Sequence, residues 1–154
     1  MKEIVEKLIE NNKTISTMES CTGGAVASAI TDIEGSSSII KFSAVTYSNE
    51  YKIKMGVDSS IIDKYTVYSM EVAREMANTI SNYANSNYGV GITGKLNRSD
   101  PNNLYGDDNI VYISVYDKDN NKYYDEIVKV NYDSRNRNKL FVLDNVIKLL
   151  NKIM

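Results

Sequence analysis

Ser20 sits between a short mixed run, Thr14-Ile15-Ser16-Thr17-Met18-Glu19, and the turn Cys21-Thr22-Gly23-Gly24, behind which small residues run to Ile33. A strand entering a tight glycine turn that opens a helix leaves the Ser20 hydroxyl at the strand's carboxyl end. The N–H groups of Thr22, Gly23 and Gly24 then lie near enough to hold an anion or a developing oxyanion. That makes Ser20 a candidate nucleophile, with Cys21 the neighbouring alternative. The same residues would also serve as a plainly structural turn, with Cys21 a small buried thiol. No Lys-Ser/Thr follows the glycines, so the segment is not a P-loop, and it does not match G-x-G-x-x-G.

A serine nucleophile needs a base, and the chain has no histidine. This removes the Ser-His-Asp triad, the Cys-His dyad and HExxH zinc chemistry at once. The remaining candidate is Tyr47-Ser48-Asn49-Glu50-Tyr51-Lys52. A lysine acts as a base when burial depresses its pKa from about 10.4. A tyrosine hydroxyl at Tyr47, between Ser20 and Lys52, could pass the proton. With 12 tyrosines in the chain, a surface lysine beside a half-buried tyrosine is the plain alternative. A third group is Gly91-Ile92-Thr93-Gly94 with Lys95 and Arg98 behind it, where turn amides and two cations could hold a phosphate or simply form a solvated loop. Asp107 and Asp108 are adjacent on a loop and read as solvated charges, so neither a metal nor a cofactor is expected.

These groups are useful only if the elements around them converge. Ile4, Val5, Leu8 and Ile9 recur at helical spacing, and Asn11-Asn12 can end that helix. Strands are predicted at 14–18, at 39–47 (buried), at 90–93, and at 110–116 and 123–130, the last two forming a hairpin. Helices are predicted at 25–33, 49–55 and 59–65. Another follows Ser69, a good N-cap, with Val72, Met76, Ile80 and Tyr83 as its apolar stripe, and a closing helix follows Ser134 with Leu140, Leu143, Val146, Ile147 and Leu150 inward. Residues 95–109 are polar, contain Pro101 and Gly106, and read as a long loop of the kind that is often functional. Helices alternating with strands, then a late hairpin, predict an α/β fold: a three-layer α/β/α sandwich with a mixed sheet, in which ligands sit at the carboxyl ends of the strands.

The chain has 154 residues, with 42% hydrophobic and 25% charged side chains, which fits one folded domain over 1–154 and argues against disorder. Lys plus Arg is 18 against 20 Asp plus Glu, too acidic for non-specific nucleic-acid binding. A single cysteine allows neither an intrachain disulfide nor a Cys-cluster zinc site. The N-terminal stretch is broken by Glu and Lys, and no run approaches the ~18 apolar residues of a membrane span. No membrane partner is therefore expected, and the cytoplasm is the expected compartment.

Taken in order, these segments resemble one family, the CinA C-terminal domain, also known as the nicotinamide-mononucleotide amidohydrolase family. The resemblance is nearly full length and is carried by Glu19-Ser20-Cys21-Thr22-Gly23-Gly24, Thr31-Asp32-Ile33-Glu34-Gly35-Ser36-Ser37, Tyr47-Ser48-Asn49-Glu50-Tyr51-Lys52, Ser69-Met70-Glu71-Val72-Ala73 and Ile92-Thr93-Gly94, with Arg135 before the last helix. It implies a three-layer fold, a homo-oligomer, and hydrolysis of the carboxamide of nicotinamide mononucleotide to nicotinate mononucleotide and ammonia. It implies Ser20 as nucleophile and Tyr47 and Lys52 in proton transfer. Thr22, Gly23, Gly24, Asn49, Thr93, Gly94, Lys95 and Arg98 would surround a pyridine nucleotide. The separate nucleotide-related domain of larger members is not expected here.

Two stretches depart from the family. Its Gly/Pro-rich loop after Thr-Gly is replaced by residues 95–108, in which Lys95 and Arg98 are expected to take over part of the phosphate site. Bulky Tyr68 stands where the family has a small residue. These departures open a second reading, a nucleotide-binding or regulatory module without turnover.

Overall fold

The computed structural model describes residues 1–154. Its elements are α1 (Lys2–Glu10), β1 (Ile15–Glu19), α2 (Ala25–Thr31), a 3-10 turn (Ser36–Ser38), β2 (Ile40–Val45), α3 (Asn49–Lys54), α4 (Ser59–Tyr65), α5 (Met70–Ala84), β3 (Tyr88–Gly94), β4 (Ile110–Asp117), β5 (Lys122–Lys129) and α6 (Arg135–Ile153). One five-stranded sheet runs in the order β2-β1-β3-β4-β5. β1 is parallel to both β2 and β3, while β3–β4 and β4–β5 are antiparallel, so the sheet is mixed.

Strand alternation divides the core in two. Ile15, Val90, Ile92, Val111, Ile113 and Val115 join Ile4, Leu8, Val26, Ile30, Val142 and Val146 from α1, α2 and α6 in one apolar layer. Met18 joins Val57, Ile62, Val67, Val72, Met76 and Ile80 on the opposite face, under α4 and α5. The sheet therefore lies between two helical layers, the expected sandwich.

Three details differ from the sequence reading. β2 is an open edge strand rather than a buried one, and Phe42 and Val45 are exposed on it. On α5, Tyr83 is 65% exposed, and Ala73, Ala77 and Ser81 are buried in its place. On α6, Leu140 is exposed while Val142 and Leu149 are buried.

Why α5 buries small residues follows from β3. A Cβ on Gly91 would stand 2.0 Å from the Ala73 carbonyl oxygen, and one on Gly89 would stand 2.0 Å from that of Ala77. The helix backbone rests directly on the strand, and only residues without side chains fit beneath it. This contact seats β3, whose carboxyl end reaches the site. Gly91→Ala is expected to destabilise the domain by about 3 kcal/mol or more, since the blocking atoms are backbone and cannot turn aside. Urea unfolding at fixed pH measures it.

Candidate active site

Three parallel strands bring their carboxyl ends together at one edge of the sheet, as expected for a ligand site in an open α/β fold. Ser20 follows β1, Thr46 and Tyr47 follow β2, and Gly94 and Lys95 close β3. A cavity of about 450 Å³ opens there, inside the roughly 300–1,000 Å³ range of small-molecule sites. Ser20, Cys21, Tyr47, Tyr68, Lys95 and Arg135 are among its walls, and residues 98–103 form one side.

Lys52 is the decisive side chain. It is 1% exposed, although it lies on the short helix α3 at the surface layer. Its Nζ donates to the Thr46 carbonyl at 2.8 Å and lies 3.2 Å from Ser20 Oγ. Burial pulls its pKa down from 10.5 to about 8, with Cys21 and Asp100 opposing the shift. The helix is set for this geometry by Ser48, which caps it by accepting from the Tyr51 amide. Cys21 is also buried, and burial pushes its thiol up to about 12. It stays protonated at neutral pH, which favours Ser20 over Cys21 as the nucleophile.

The glycine turn is built differently from the sequence reading. Glu19 is fully buried and takes up one of the amides expected to face a ligand, that of Gly24. Its Oε2 accepts from Thr22 Oγ1 at 2.7 Å, the Gly24 amide at 3.1 Å and the Val26 amide at 3.2 Å. Its Oε1 accepts from the Ala27 amide at 2.9 Å and Thr17 Oγ1 at 3.2 Å. The Gly23 amide closes the turn onto the Ser20 carbonyl at 3.0 Å. Gly24 occupies the cap position of α2 with φ +91 and has no side chain to cap with, so Glu19 satisfies the first-turn amides from the strand. Gly23 and Gly24 are thus not oxyanion donors, while Thr22 gives Glu19 only its hydroxyl and keeps its amide free. The amides of Cys21 and Thr22 make no hydrogen bond to another residue, which leaves those two N–H groups beside Ser20.

The other expected ligands divide. Tyr47 lines the cavity but does not bridge Ser20 and Lys52, because Lys52 reaches Ser20 directly. The Tyr47 hydroxyl instead accepts from Arg135 Nη2 at 2.6 Å. Thr93 is fully buried and falls, by strand alternation, on the α5 face with Gly91. Its hydroxyl donates to the Val67 carbonyl at 2.9 Å, away from the cavity. Lys95 lines the cavity, but its charge is engaged, with Nζ donating to the Gly106 carbonyl at 3.2 Å and to Asp108 at 3.0 Å. Asp108, read as a solvated charge, is that partner.

Asn49, Gly94 and Arg98 do line the cavity, and Asn49 donates to Asn103 Oδ1 at 2.9 Å. Arg98 contacts only carbonyls, those of Asn97 at 2.9 Å and Asp133 at 3.4 Å. Residues 95–109 are the expected long loop. Leu96 is buried in the core, Tyr105 projects outward, and Tyr68 forms a wall of the cavity. Sequence reasoning missed Glu19 and Asp100. Glu19 stood inside the turn it supports, and Asp100 has no local pattern at all.

The whole chain, residues 1–154, matches the model of the CinA C-terminal domain. The chain belongs to this family. A putative competence-damage inducible protein from Thermoanaerobacter sp. strain X514 is 43% identical over 96 residues, covering 61% of this chain and 23% of the relative. A CinA-like protein from Endomicrobium trichonymphae is 48% identical over 88 residues, 56% of this chain and 21% of that protein. The aligned segment is thus under a quarter of the length of these relatives.

Among solved structures, a CinA superfamily protein from Escherichia coli superposes with TM-score 0.87 at 22% identity, over 99% of this chain and 87% of that one. The competence/damage inducible protein from Agrobacterium tumefaciens gives TM-score 0.79 at 26% identity, over 96% and 94%. The α/β fold of this CinA domain is therefore that of the superfamily. No helix in it is long and apolar enough to cross a membrane.

Glu19→Gln keeps the shape but puts an amide NH₂ where a carboxylate oxygen now accepts from donors. It is expected to cost this CinA domain about 3 kcal/mol, as buried donors lose their acceptor. Denaturant unfolding checks this, with hydrogen exchange of the α2 amides as the local readout.

Proposed function

We propose that this domain is an amidohydrolase that converts nicotinamide mononucleotide to nicotinate mononucleotide and ammonia, with Ser20 as nucleophile and Lys52 as base. The observation that carries the reading is the buried Lys52 amine 3.2 Å from Ser20 Oγ. In its neutral form the amine keeps one N–H on the Thr46 carbonyl and turns its lone pair to the Ser20 hydroxyl. Lys52 takes the Ser20 proton as Oγ bonds to the amide carbon, and the oxyanion falls to the free amides of Cys21 and Thr22. The Lys52 ammonium returns the proton to the departing nitrogen, the C–N bond breaks, and ammonia leaves. Water then cleaves the acyl-serine with Lys52 again as base, releasing the carboxylate. Tyr47 flanks the substrate rather than relaying the proton.

Arg98 and Arg135 meet only neutral acceptors, so their charge is free for a phosphate, which Lys95 cannot offer while paired. The reading places the enzyme in the cytoplasm and in a homo-oligomer, supported by the lone cysteine and by Phe42 and Val45 exposed along the open edge of β2.

Ser20→Ala should abolish ammonia release from nicotinamide mononucleotide by several orders of magnitude with the fold intact, whereas Cys21→Ala should keep most of it. Because the base must be neutral, kcat/KM should rise with pH and level off above about 8, the Lys52 value. A wild-type protein that binds the nucleotide without releasing ammonia would instead support the non-enzymatic module, which the altered 95–108 loop favours.

Arg98→Ala should weaken nucleotide binding by about 1.5–3 kcal/mol, seen mainly in KM, and the loss should shrink at high salt because Arg98 is exposed. Calorimetry at two salt concentrations measures it.

A further inference from the structure

The loop that departs from the family is held in a particular way. Its base is tied down by the Lys95 amide on the Ile110 carbonyl, the Arg98 amide on the Asp108 carbonyl and the Lys95–Asp108 ion pair. Its tip has no apolar anchor, since Leu104 and Tyr105 are 78% and 73% exposed. Asp100 secures it instead. One carboxylate oxygen accepts from the Asn102 amide at 2.9 Å. The other accepts from the Tyr68 hydroxyl and from Asn103 Nδ2, the latter at 2.9 Å. Asn103 Oδ1 in turn accepts from Asn49 Nδ2, and Asn49 is the first residue of the helix that carries Lys52 three positions on. A continuous hydrogen-bonded chain, Tyr68–Asp100–Asn103–Asn49, thus crosses the cavity wall.

We propose that Asp100 is a positioning residue that clamps the 95–108 loop onto the Lys52 helix and so fixes the wall of the cavity in front of Ser20. The proposal rests on the amidohydrolase reading for its kinetic consequence but not for the clamp itself. Electrostatics point the same way. Burial disfavours the Asp100 carboxylate, but hydrogen bonds from Tyr68, Asn103 and the Asn102 amide outweigh it and lower its pKa, so it remains an anion. Two ionisable groups act to raise Lys52, Cys21 and Asp100, and Cys21 is protonated. Asp100 therefore acts to raise Lys52, against the larger lowering by burial.

Asp100→Asn tests this, because one oxygen cannot serve the donors on both sides. In the free protein, hydrogen exchange over residues 97–106 and the first turn of α3 should quicken roughly tenfold, as expected for loss of a hydrogen bond to a charged group. The Lys52 titration, followed by NMR of its side chain, should move below its wild-type midpoint. With nicotinamide mononucleotide, KM should rise more than kcat falls, and the acid limb of the pH profile should move to lower pH. Asn103→Ala should quicken the same exchange while leaving the Lys52 midpoint in place, which separates clamp from charge and serves if Asp100→Asn does not fold. Unchanged exchange in both variants would overturn the clamp, and an unchanged Lys52 midpoint in Asp100→Asn would overturn the electrostatic part. Absence of ammonia release by the wild type would strike the amidohydrolase reading alone, since exchange and titration need no substrate.

Discussion

A carboxylate buried without a cation beside it is expensive unless donors surround it, and Glu19 is surrounded by five. Those donors come from its own strand, from the turn and from the first turn of α2. The carboxylate therefore locks three pieces of chain that would otherwise be joined only by flexible glycines. Ser20 is the next residue and inherits that rigidity. Its own amide is tied to the Ile92 carbonyl of β3 at 3.1 Å, so the hydroxyl is fixed from two sides. The conformation of the turn also decides which amides remain available. Glu19 and the Ser20 carbonyl consume the glycine amides, and the pair at Cys21 and Thr22 is left without an acceptor.

Lys52, 3.2 Å from Ser20 Oγ, shows the cost of a buried group of the opposite charge. An ammonium buried with only a carbonyl and a hydroxyl nearby is poorly solvated, and the protein gives up stability to keep it there. The sign follows from linkage. The folded pKa is about 8 against 10.5 for the free side chain, so the unfolded chain binds the extra proton between those values. This group's penalty is full below about 8 and is relieved as pH rises toward 10.5. A penalty carried at neutral pH by a residue touching Ser20 is what a functional constraint looks like, because a purely structural position would be better filled by an apolar side chain.

Much of the site could be read from local sequence because its parts are local devices. The glycine turn, the Ser48 cap and the Ser69 cap each act within a few residues, and the apolar spacing of α5 gives its buried face through Val72, Met76 and Ile80. The errors have a common origin in long-range packing. Tyr83 lies on the same helical stripe, yet it points out because the helix rests on Gly89 and Gly91 along its small-residue side. Thr93 looked like a ligand in a turn and is instead turned by strand alternation toward the Val67 carbonyl.

The sequence alone determined which chemistries were possible. With no histidine and one cysteine, the histidine triads and dyads and a Cys-cluster zinc site were excluded, Ser20 or Cys21 with Lys52 remained as candidates, and the order of elements implied the layered fold. Tertiary structure decided which of those groups meet. Ser20 and Lys52 are 32 positions apart and meet because parallel β1 and β2 end at the same edge, a pairing no local pattern encodes. It also decided that Lys95 is spent on Asp108 while Arg98 and Arg135 are not. Charge is a property of the residue, but its availability depends on which partner the folded chain brings within 3 to 4 Å.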